Sequence, residues 1–90
     1  MPRLRVDPSY ERASRRLPKD VQHRASKALV RFLANPKSPG LHFERLKGRE
    51  DYFSIRASLQ YRILLRQERD DDGALFAVVG IGRHQVYRRR

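Results

Sequence analysis

The sequence predicts a small α+β domain: two N-terminal helices packed on one face of a small antiparallel sheet, in the order β-α-α-β-β-β. Three observations carry this. Apolar residues recur at helical spacing over the first third of the chain, a Pro/Gly-rich segment closes that half, and the remainder holds short runs rich in β-branched and aromatic residues separated by turn-like stretches. Ninety residues have room for one core, so residues 1–90 are read as a single domain.

Leu4-Arg5-Val6 alternates weakly and is expected to form a short first strand. Asp7-Pro8 then supplies an N-cap followed by Pro at the first helical position. Tyr10, Ala13, Ser14 and Leu17 follow at three- and four-residue steps until Pro18, which ends that helix and opens a second with Asp20 in its first turn. The second helix has the clearest period in the chain: Val21, Ala25, Ala28, Leu29, Phe32 and Leu33 form one stripe, and Lys19, His23, Lys27 and Arg31 lie on the other face. Two Pro and one Gly within Asn35 to Gly40 end the helical half. Tyr52 to Ala57, Tyr61 to Gln67 and Leu75 to Ile81 read as strands, with Asp72-Gly73 as a hairpin signal before the third. That third strand is apolar at nearly every position, which places it centrally, covered on both faces.

Composition narrows the partners. Basic residues number 21 against 10 acidic, a net charge of +11, so the chain should seek an anionic surface: nucleic acid, acidic lipid or an acidic protein. The absence of Cys excludes disulfides, a thiolate nucleophile and a Cys-based zinc site. The longest apolar run, Ala74 to Val79, is far short of the roughly twenty residues of a membrane span. Met1-Pro2-Arg3 leads into no signal-peptide core, and a cytoplasmic protein without membrane contact is expected.

The candidate chemistry lies on the strands and in the C-terminal segment. Ser54 and Arg56 share one face of their strand, opposite Phe53 and Ile55; Arg62 and Arg66 share a face of the next, opposite Tyr61, Ile63 and Leu65. With a three-residue loop Ser58-Leu59-Gln60, Arg56 lies directly across from Arg62. Like charges so placed repel, and an anion held between the two guanidiniums would relieve them. The alternative is a pair of solvated surface arginines. Gly82 to Arg90 holds His84, Tyr87 and four Arg, where His84 suits acid or base work and Tyr87 suits stacking or phosphate binding; a frayed basic tail is the alternative. Glu44, between Phe43 and Arg45, is either a proton acceptor or a partner of Arg45 or Lys47. His23 and His42 read as surface residues, and Asp70-Asp71-Asp72-Gly73 lacks the alternating ligands of a calcium loop.

At Leu46-Lys47-Gly48, Tyr52-Phe53-Ser54-Ile55-Arg56, Tyr61-Arg62-Ile63-Leu64-Leu65 and Gly82 to Tyr87 the chain resembles the RelE/ParE superfamily of bacterial toxin-antitoxin toxins, over nearly its whole length. The resemblance implies two helices against a small sheet and a ribosome-dependent endoribonuclease, an mRNA interferase, working without metal or cofactor. It implies that Arg62 contacts the scissile phosphate, that Arg56 matches a family Lys, that Glu44 is the general base, and that His84 or Tyr87 is the acid. Ser54 stands where RelE has another Lys, and the segment from Gly82 to Tyr87 is one residue shorter than the family pattern. Lys47, Arg66, Arg83 and Arg88 are expected to bind the RNA backbone. The implied partners are mRNA, the ribosome and an acidic, partly disordered antitoxin, with the toxin monomeric alone and hetero-oligomeric in complex. A ParE-like inhibitor of DNA gyrase, or a noncatalytic nucleic-acid-binding remnant, is the alternative.

Overall fold

The computed structural model describes residues 2–83. Its elements are β1 (Leu4–Val6), α1 (Pro8–Arg15), α2 (Lys19–Ala34), β2 (Glu44–Leu46), β3 (Arg49–Arg56), β4 (Tyr61–Asp70) and β5 (Gly73–Arg83). The strands form one five-stranded sheet in the order β1-β5-β4-β3-β2, with both helices on one face. The expected α+β class holds. Two details differ: the sheet gains a short strand, β2, and β1 pairs with β5 in parallel, Leu4 opposite Phe76 and Val6 opposite Val78, so the sheet is mixed. A three-residue strand such as Glu44-Arg45-Leu46 offers too few alternations to register as a period, and a parallel partner seventy residues away leaves no local turn signal.

The local chemistry explains where the elements begin. Asp7 Oδ2 accepts from Ser9 N at 3.0 Å, and Pro8 occupies the first turn of α1. Ser9 Oγ donates to the carbonyl of Val79 at 2.7 Å, which fixes the start of α1 to β5. Pro18 caps α2 without a side-chain bond, and the helix stops at Asn35, one residue before Pro36.

The core lies between α2 and the sheet. Val21, Ala25, Ala28 and Phe32 are buried against Ile55, Ile63, Leu65, Val78 and Ile81, as the helical stripe and strand alternation require. Phe32, 0% exposed, meets Phe43 and Phe76 edge-on at centroid separations of 5.0 and 5.5 Å. Truncating it to Ala would cost about 3–5 kcal/mol.

The two long hairpins set the register of the site. The β3–β4 loop is Ser58-Leu59-Gln60, with Ala57 N donating to Tyr61 O at 2.9 Å and Arg56 opposite Arg62, as the three-residue reading requires. Between β4 and β5, Asp70 pairs with Gly73 across an Asp71-Asp72 turn, and Asp70 Oδ1 accepts from Asp72 N at 2.9 Å. Gly73, at φ +115°, takes the backbone where a side chain would be strained. No helix among the described residues is long and apolar enough to cross a membrane.

Candidate functional site

Strand alternation sends Ile55, Ile63 and Leu65 to the helices and Ser54 and Arg62 to the opposite face of the sheet. Glu44 pairs with Ser54, so β2, β3 and β4 bring Glu44, Ser54 and Arg62 onto that face from three adjacent strands. Two of these three are fully buried: Ser54 and Arg62 are each 0% exposed, and Glu44 is half-buried.

The burial of Arg62 corrects the expectation of an exposed guanidinium. Its Nη2 donates to Ser54 Oγ at 2.8 Å and to the carbonyl of His42 at 2.6 Å, and its Nε donates to Ser54 Oγ at 3.2 Å. The physical reason is a supply of acceptors that the strand pattern does not disclose. Ser54 places a hydroxyl where a second cation would repel Arg62, and the loop before β2 aims a carbonyl at the same group. His42, which delivers that carbonyl, holds a left-handed backbone at φ +49°. Such a conformation costs a non-glycine residue about 1–2 kcal/mol. Its neighbours hold it there: Leu41 is fully buried and its carbonyl accepts from Arg56 N at 2.6 Å, while Phe43 packs on Phe32.

The other expected residues are dispersed. Arg56, opposite Arg62 in register, lines a cleft between α2 and the β3–β4 loop, and its Nε is buried with no hydrogen-bond partner among the described residues. Lys47 is exposed in the Lys47-Gly48 turn between β2 and β3, where Gly48 adopts φ +77°. Arg66 lies further along β4, opposite Tyr52, and binds Glu68 through Nη2 at 2.5 Å. Arg83, exposed at the end of β5, sits over the Tyr61 ring at 5.5 Å. His84, Tyr87 and Arg88 lie outside the described residues. His23 is exposed on α2, as expected, whereas the interest of His42 lies in its backbone and not its ring.

Sequence reasoning missed a second charged arrangement on the same sheet face. In register, Arg5, Ala77 and Arg66 form one row across β1, β5 and β4, and Arg5 and Arg66 both bind Glu68. Arg5 and then Arg66 hold the Glu68 carboxyl below the ordinary carboxylate range, and Glu68, followed by Tyr52, raises the pKa of Arg66. Arg3 pairs with Asp70 at 2.8 Å beside it. The signal available was the acidic end of β4, but the partner strand is distant in sequence. Among the described residues no group of three or more His, Asp or Glu is placed to hold a metal ion.

No protein-family model matches this sequence, and no curated protein matches it. Solved structures do. The YoeB/ParE toxin from Agrobacterium tumefaciens superposes with a TM-score of 0.68 at 17% identity, covering 91% of this chain and 98% of that one. The isolated E. coli RelE toxin gives 0.65 at 24% identity, covering 92% and 84%. The RelBE2 toxin-antitoxin complex from Mycobacterium tuberculosis gives 0.59 at 22% identity, covering 93% and 100%. The chain therefore has the RelE/ParE-like fold.

Proposed function

We propose that this chain is the toxin of a toxin-antitoxin pair and acts as a ribosome-dependent endoribonuclease on translated mRNA. The observation that carries the reading is the convergence of Glu44 and Arg62 on the sheet face opposite the helices, at positions that match the base and phosphate-binding residues of the RelE-like resemblance. The three structural neighbours described above, toxins in each case, support the toxin role.

In the proposed reaction the 2′-hydroxyl of one nucleotide attacks its own 3′-phosphate. Glu44 takes the hydroxyl proton, and a new O–P bond forms as the P–O5′ bond breaks. Charge on the phosphate oxygens grows in the transition state, and the guanidinium donors of Arg62 offset it. His84 or Tyr87 returns a proton to the departing 5′-oxygen. The products are a 2′,3′-cyclic phosphate and a free 5′-hydroxyl, and the step needs no redox partner. Because Arg62 is buried and bonded to Ser54 and His42 in the free chain, RNA must gain access to that guanidinium, so exposure of Arg62 is a step of the mechanism.

The burial of Arg62 also favours a second reading: a toxin that binds a protein target such as gyrase, with Arg62 as a structural tie. One experiment separates the two. The chain is induced alone, cleavage ends are mapped on cellular mRNA, and gyrase-dependent DNA breaks are counted in the same cells. Cuts in translated mRNA support the nuclease; DNA breaks without mRNA cuts support the inhibitor. For the partner, we propose an acidic, partly disordered antitoxin that covers the basic surface, by analogy with the neighbour solved as a toxin-antitoxin complex.

A further inference from the structure

A second basic region lies at the end of the sheet, between α2 and the β3–β4 loop. α2 and the β3–β4 loop enclose a cleft of about 580 Å³, with His23, Arg24, Lys27 and Arg31 on one wall and Arg56 on the other; its one acidic lining residue is Asp20. His23, Lys27 and Arg31 follow one another at intervals of four residues, so they climb one face of the helix at about 6 Å per step. That ladder has a spacing comparable to successive phosphates along a nucleic-acid strand.

Three features argue that the cleft is built for an anion. Arg3, Arg5 and Arg66 each have a carboxylate partner, whereas Arg24, Lys27, Arg31 and Arg56 have no ion pair among the described residues. Arg56, which lines the cleft, has a buried Nε with no acceptor among the described residues, a group that native proteins satisfy with protein, water or a bound ion. Finally, Gly40 lines the cleft beside Arg31: a Cβ there would stand 3.7 Å from Arg31 Nη1, so the missing side chain leaves room at that guanidinium. At the rim Leu59, 83% exposed, offers an apolar surface of the size a base could cover.

We infer that this cleft binds consecutive backbone phosphates of an RNA strand, as a site separate from the face that carries Glu44, Ser54 and Arg62. The planar fork of Arg suits phosphate oxygens, and a row of cations suits a polyanion of regular spacing better than the scattered carboxylates of a peptide. The inference goes beyond the proposed cleavage and does not depend on it.

The test uses the full chain and a 2′-O-methyl RNA dodecamer, which cannot be cut by 2′-hydroxyl attack. Binding is followed by NMR through the Arg56 Nε–Hε signal and the amides of Lys27, Arg31 and Ser58, across a salt series. We expect these signals to shift on binding, and affinity to fall steeply with salt. Lys27→Gln/Arg31→Gln, both exposed positions, should weaken binding at least about tenfold and reduce the log–log salt slope by about 1.4, the loss of two single-strand phosphate contacts. Inorganic pyrophosphate and a glutamate-rich peptide of equal charge are run in parallel. Unchanged dodecamer affinity in the folded double variant, or shifts confined to the Glu44 face, would overturn the inference. So would pyrophosphate shifting the cleft signals when the dodecamer does not, which would assign free phosphate, or the peptide alone doing so, which would assign a protein partner.

Discussion

Arg56 and Arg62 face each other across one rung of the β3–β4 hairpin, yet their surroundings are opposite. Arg62 is fully buried, and the chain supplies its acceptors from Ser54 and His42. Arg56 borders an open cleft lined by other cations, and its Nε finds no acceptor among the described residues. The difference teaches that register alone does not determine what a charged side chain does. Whether the fold supplies the acceptors separates a guanidinium that must be uncovered before it can bind from one that already borders open space.

The largest effect expected follows from that asymmetry. Arg62→Met should destabilise the chain by about 2–5 kcal/mol, because it strands the buried hydroxyl of Ser54 and the carbonyl of His42 without their donor. Arg56→Met should change stability by less than about 1 kcal/mol, since no hydrogen bond from its Nε is lost. Urea unfolding of the two variants side by side measures both. Equal losses would erase the distinction.

A narrower change sharpens it. Ser54→Ala removes the hydroxyl that accepts from both Nε and Nη2 of Arg62, and should cost about 1–3 kcal/mol in the same urea assay. A neutral result would mean that the acceptors left in place, among them the carbonyls of His42 and Ser54, suffice to hold the guanidinium.

The smallest effect concerns the ion pairs at the β1 edge. Folding lowers the pKa of Asp7 through the hydrogen bonds of Ser9, of Glu68 through Arg5 and Arg66, and of Asp70 through Arg3. A carboxylate depressed by folding adds stability that is complete above its unfolded pKa, about 4, and is lost as the pH falls through the lower folded value. Thermal melts should therefore hold steady above about pH 5 and drop below about pH 4. High salt should shrink the drop, and Glu68→Gln should reduce it further. A melting temperature that stays flat to pH 2 would show these pairs to be without weight.

Much of the fold was legible in the sequence because its signals are local. The stripe Val21, Ala25, Ala28 and Phe32 lies within one helix, the Asp7-Pro8 start within one turn, and the three-residue loop within one strand pair. The parallel pairing of β1 to β5 and the three-residue β2 were not legible, since the first has no adjacent turn and the second has no period. At the site, strand parity gathered Ser54 and Arg62 on one face, but the burial of Arg62 depends on a His42 carbonyl twenty residues earlier in a left-handed backbone. No side-chain pattern encodes that. The basic face of α2 was legible as a charge ladder, and only the fold reveals that the β3–β4 loop closes it into a cleft.

The proposed cleavage of RNA on the sheet face opposite the helices, with Glu44 as the base, is open to one decisive assay: single-turnover cleavage of mRNA on programmed ribosomes, at saturating protein, with Glu44→Gln compared to the unaltered chain. Glu44 is half-buried on a short edge strand, so the isosteric change leaves the fold in place, which a thermal melt verifies. If Glu44 is the base, cleavage slows roughly hundredfold or more with ribosome binding unchanged. Cleavage at the original rate by folded Glu44→Gln would contradict it.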